Sequence, residues 1–97
     1  MGLLRLLRGK PKNPVSYGGG SGETKEDAVV ITAPSDSLGV RAEYAYVHVQ
    51  CGRGWKLIFQ NLLESPDGKH YDVLTVRLND ATVREFYFDI SSFYEKF

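Results

Sequence analysis

The chain has 97 residues with 12 Lys+Arg and 12 Asp+Glu, which is enough for one small domain and too few for two independent cores. Its hydrophobic content of 42% and charged content of 25% are those of an ordinary folded protein and argue against wholesale disorder. The zero formal charge is unevenly spread: residues 1–22 hold Arg5, Arg8, Lys10 and Lys12 without an acid, so the remainder is acidic and lacks the basic footprint of nucleic-acid binding.

The opening Met1-Gly2-Leu3-Leu4-Arg5-Leu6-Leu7-Arg8 gathers Leu3, Leu4, Leu6 and Leu7 on one side of a helical wheel, with Arg5 and Arg8 on the other. Eight residues fall short of the roughly 12–15 that an isolated helix needs, so a helix here needs a surface to fold on, and an anionic membrane is one. The arginines interrupt the leucines before they make a signal-peptide core or a spanning helix. Gly2 is placed for myristoylation, but Leu6 stands where that pattern wants Ser or Thr. The plainer reading is a frayed terminus.

Pro11, Pro14 and Gly18-Gly19-Gly20-Ser21-Gly22 make residues 1–26 read as a flexible basic, glycine-rich tail, with a single domain over 27–97. A phosphate loop needs Lys then Ser or Thr after its last glycine, whereas Glu23 follows Gly22. Ala28-Val29-Val30-Ile31-Thr32 predicts the first strand, ended by Ala33-Pro34. Ser35 or Asp36 then caps a helix whose buried side is Leu38, Ala42, Ala45, Tyr46 and Val49, and which stops at Gly52. A competing reading makes Val40 to Gln50 a strand, because Tyr44, Tyr46 and His48 alternate with Ala45, Val47 and Val49.

Trp55 to Leu63, Tyr71 to Leu78 and Val83 to Ile90 follow as a meander, turned at Ser65-Pro66-Asp67-Gly68 and at Asn79-Asp80-Ala81-Thr82. Strand alternation assigns Leu74, Val76, Leu78, Phe86, Phe88 and Ile90 to the face under the helix. The expected fold is α+β, one helix packed on a four-stranded antiparallel or mixed sheet in the order β-α-β-β-β. The terminal Phe93, Tyr94 and Phe97 suit either a docked turn or an exposed sticky end.

Candidate chemistry is sparse, and neither a cofactor nor a metal is expected. His48 and Cys51 share a helical face, but with His70 they supply too few ligands for a typical zinc site. A nucleophilic Cys51 activated by His70 and oriented by Asp72 would make an enzyme, although nothing in the sequence brings the three together. Arg53, between Gly52 and Gly54 and beside Trp55, suits a weak anion site or a plain connection. On the sheet face away from the helix, Tyr71, Val73, Thr75, Val83 and Tyr87, with Trp55, predict an apolar patch for protein contact. The sequence therefore points to a cytoplasmic, non-enzymatic interaction module whose partner is another protein or a second copy. A peripheral membrane protein tethered by Leu3, Leu4, Leu7, Arg5 and Arg8 is the alternative, ahead of the enzyme.

Overall fold

The computed structural model describes residues 14–96. In chain order these form β1 (Ser16–Gly19), β2 (Val29–Thr32), α1 (Asp36–Cys51), β3 (Lys56–Glu64), β4 (His70–Arg77) and β5 (Val83–Asp89). The fold is α+β, as its sequence implies, with five strands rather than four. The additional strand, β1, lies in the stretch expected to be linker. The sheet order is β1-β2-β5-β4-β3. β2 runs parallel to β5 through Val29↔Phe88 and Val30↔Asp89, and every other neighbouring pair is antiparallel.

The segment Asp36–Cys51 is helical, and its ends show why helix prevails over the local β-propensity of its tyrosines and valines. The Ser35 side chain accepts a hydrogen bond from the Leu38 amide, satisfying one of the unpaired donors of the first turn. At the other end Gly52 takes φ 76°, a value costly for a residue with a Cβ, and its amide closes on the His48 carbonyl at 2.9 Å. The buried side consists of Gly39, Ala42, Glu43 and Val47. The face is thus rotated from the expected one: Ala45 is exposed and Val49 is 78% exposed, while a glutamate is buried in their place.

The core lies between α1 and the middle of the sheet. Val29 and Ile31 from β2, Leu74 and Val76 from β4, and Phe86 and Phe88 from β5 meet Ala42 and Val47 of the helix. The face assignment for β4 and β5 holds, with Leu78 only partly buried. Tyr46 sets its ring edge-on to Phe86 and Phe88, at centroid distances of 6.2 and 5.7 Å. Residues after β5 turn back over the helix and bury Phe93, with Tyr94 half-buried, so these two aromatics belong to a docked turn, while Phe97 lies outside the described residues. Ser92 ties that turn to β2: its hydroxyl donates to the Ile31 carbonyl at 2.9 Å and accepts from the Ala33 amide at 3.2 Å.

Candidate functional site

The helix approaches β2 most closely and its backbone makes no comparable approach to β3. Nine residues long, β3 pairs on one side with β4 and, among the described residues, forms the outer edge of the sheet. All of β3 is exposed except Leu63, which is half-buried, although five of its residues are large and apolar. Phe59 is 60% exposed, Leu62 50% and Ile58 45%. Folded proteins ordinarily blunt such an edge with charge, proline or a cover, because it is a template for another strand. Here Lys56 and Glu64 stand only at its ends, and the register shift between Leu57 and Phe59 is confined to its first half.

The outward hydrogen-bonding groups of β3 follow from its pairing with β4. The Ser65 amide donates to the Lys69 carbonyl at 2.8 Å, continuing the register Leu63↔Tyr71 and Asn61↔Val73. Antiparallel pairs alternate between bonded and non-bonded. Leu63, Asn61 and Phe59 accordingly turn their backbone groups toward β4, while Leu62 and Gln60 turn theirs outward. The side chains of Phe59, Asn61 and Leu63 lie on the sheet face away from the helix, and those of Gln60 and Leu62 lie on the helix side with Asp72 and Leu74.

Beside β3 on the helix side is a cavity of 220 Å³ whose lining includes Asp36, Glu43, Gln60, Leu62, Asp72 and Phe93. Glu43 is fully buried and Asp72 nearly so. The Gln60 side-chain amide donates to both Asp72 oxygens, at 3.0 and 2.9 Å. Neither Glu43 oxygen has a donor among the described residues. Burial, then the neighbouring Asp72 as hydrogen-bond partner and as charge, then Asp36, push the Glu43 carboxyl up to about 10. It is therefore protonated at neutral pH.

The residues expected to form an apolar face patch are only partly open. Tyr71 and Val73 are buried, Thr75 and Tyr87 are half-buried, and Val83 is 55% exposed at the end of β5. The segment between β1 and β2 occupies that side. Lys25 Nζ lies 5.6 Å from the centre of the Tyr71 ring, and the Tyr87 amide donates to the Gly22 carbonyl at 2.7 Å. Trp55 is on the other side, partly buried against the core with its ring edge-on to Tyr44. The open apolar surface belongs instead to β3, and its sequence signal was an unbroken Leu-Ile-Phe run without the alternation of a covered strand.

Arg53 is exposed in the Gly52–Gly54 turn. Cys51 is half-buried, its thiol pushed up by burial and pulled down less strongly by Arg84. Arg84 pairs with Val76, six residues along β4 from His70, a separation of about 20 Å at strand rise. The Cys51–His70–Asp72 grouping is thus not assembled: the His70 ring stacks on Tyr94 at 3.9 Å, and Asp72 holds Gln60. His48 is exposed on α1. Among the described residues no group of three or more His, Cys, Asp or Glu side chains is disposed to hold a metal ion. No helix among them is long and apolar enough to cross a membrane. Leu3, Leu4, Leu7, Arg5 and Arg8 lie outside the described residues. No family model, curated protein or solved structure matches the chain.

Proposed function

We propose that the protein is a self-associating interaction module in which two copies pair their β3 strands antiparallel, joining two five-stranded sheets into one. The observation that carries this reading is the long, exposed, apolar edge. Strand addition satisfies the outward groups of Gln60 and Leu62 while burying side chains on both faces. A twofold axis at Asn61 sets Phe59 opposite Leu63 of the second copy, twice, on the face away from the helix. Gln60 and Leu62 then oppose one another on the helix side. Registers shifted by one residue about the axis set Phe59 or Leu63 against Asn61 and lose those apolar pairs, each worth roughly 0.2–1 kcal/mol.

Sedimentation equilibrium of the wild type and of a Phe59→Lys/Leu62→Lys variant tests the proposal. Both positions are exposed, so the variant folds, and lysines along an edge strand disfavour pairing. A concentration-dependent dimer that the double substitution converts to monomer is the expected result. A wild type that remains monomeric at high micromolar concentration contradicts it.

A further inference from the structure

We propose that the cleft between the β4–β5 turn and the start of β3 binds a phosphate group, either as the free ion or carried on a larger molecule. The site does not depend on pairing of β3. Its 220 Å³ are lined by Gly54, Lys56, Arg77, Leu78, Asn79 and Ala81, which include two cations and no acid. Lys56 and Arg77 stand directly opposite one another in the register of β3 and β4, so their side chains leave one sheet face with Cβ atoms about 4.5–5.5 Å apart. Like charges so placed repel. Neither is paired with an acid, since the one ion pair among the described residues joins His70 to Glu64. The acids nearest along the chain are engaged elsewhere: Asp80 accepts from the Thr82 amide at 3.0 Å and from its hydroxyl at 2.7 Å, and Glu85 accepts from the Tyr87 hydroxyl at 3.4 Å. An anion in the cleft supplies the counter-charge.

The backbone around the pair is shaped at some cost. Gly54 takes φ 85°, and a Cβ there would fall 2.8 Å from the Asn79 side-chain oxygen, so glycine lets the Asn79 carboxamide close one wall. Ala81 holds φ 74°, a left-handed conformation disfavoured for a residue with a Cβ, while its amide donates to the Leu78 carbonyl at 2.9 Å. Strained backbone of this kind gathers at ligand clamps, and here it borders an unbalanced charge pair. The charge selects the anion. Two cations are balanced by a dianion, and a phosphate monoester carries about −1.5 to −2 at neutral pH, whereas a carboxylate carries a single charge. The Arg77 guanidinium can give parallel N–H donors to two phosphate oxygens, with Lys56 as a point charge beside them. The cleft volume of 220 Å³ equals about seven waters at roughly 30 Å³ each, room for a phosphate and a short part of its carrier.

The test is equilibrium dialysis of the full chain against radiolabelled inorganic phosphate at low ionic strength and slightly above neutral pH. Binding should saturate at one phosphate per chain. Arg77→Gln and Lys56→Gln alter exposed side chains and leave the core intact. Each should weaken binding about tenfold, as loss of a charge-assisted contact implies. Arg41→Gln removes the same charge from an exposed position on α1, outside the cleft, and should leave binding unchanged. Competition with unlabelled phenyl phosphate distinguishes the sources: displacement at or below the concentration needed with inorganic phosphate indicates a phosphoryl group on a larger molecule, and weaker displacement indicates the free ion. Absence of saturable binding, displacement by acetate as effective as by phosphate, or equal losses in Arg41→Gln and Arg77→Gln overturns the proposal.

Discussion

Glu43 is the residue at which local pattern and burial disagree most. It occupies a helix position from which the sheet is reached, and its carboxyl is kept protonated by burial and by Asp72. In the unfolded chain a glutamate ionises near 4.5. Between that value and about 10 the folded state therefore binds the extra proton, and stability falls as pH rises across the interval. The slope approaches about 1.4 kcal/mol per pH unit as an upper limit. Thermal unfolding followed from pH 5 to about pH 9 should show this decline, and Glu43→Gln should flatten it and stabilise the protein at the alkaline end. Gly39 is a second such position. A Cβ there would run into the fully buried Phe93 ring, which would have to shift from its place against the helix. Gly39→Ala gains up to about 1 kcal/mol of helix propensity yet meets an overpacking cost of about 1–3 kcal/mol. We expect a net loss of stability by denaturant titration, and a smaller loss when Phe93 is first shortened to Leu.

Among the elements, the helix and the three-stranded meander were legible because independent local signals agreed. Ser35 and Gly52 bracket α1, and alternation along β4 and β5 names the buried faces correctly from Leu74 to Ile90. What was not legible depended on where each element lies in the sheet. β1 is Ser-Tyr-Gly-Gly, with no apolar pattern of its own, and it is held by Tyr17, whose hydroxyl donates to the Ala42 carbonyl at 2.8 Å. The burial of Tyr71 and Val73 follows partly from the β1–β2 connection on that face, a tertiary relation invisible in the residues around Tyr71. Conversely, the apolar run in β3 predicts burial, whereas β3 is an uncovered edge. Glu43 likewise carries no sequence mark of a pocket, since its environment is made by Asp72 and Phe93 from distant parts of the chain.

At the scale of the molecule, the one helix among the described residues, 16 residues long, covers only part of their five-stranded sheet. The β1 side is drawn together by Tyr17 and Tyr46, whose rings are 5.9 Å apart, leaving β3 as the incomplete side. Pairing of two copies through β3 would remove two exposed edges and complete an apolar stripe from Phe59 and Leu63 of both. The most direct measurement uses Asn61, which falls on the proposed twofold axis in a non-bonded pair. There the Cα atoms are about 4.5 Å apart, within the reach of a disulfide. An Asn61→Cys chain, with the native Cys51 replaced by Ser, should oxidise in air to a covalent dimer at micromolar concentration. Gln60→Cys and Leu62→Cys in the same background, one residue off the axis, should do so far more slowly. Equal crosslinking at all three positions, or none at Cys-substituted position 61, would contradict the β3 interface.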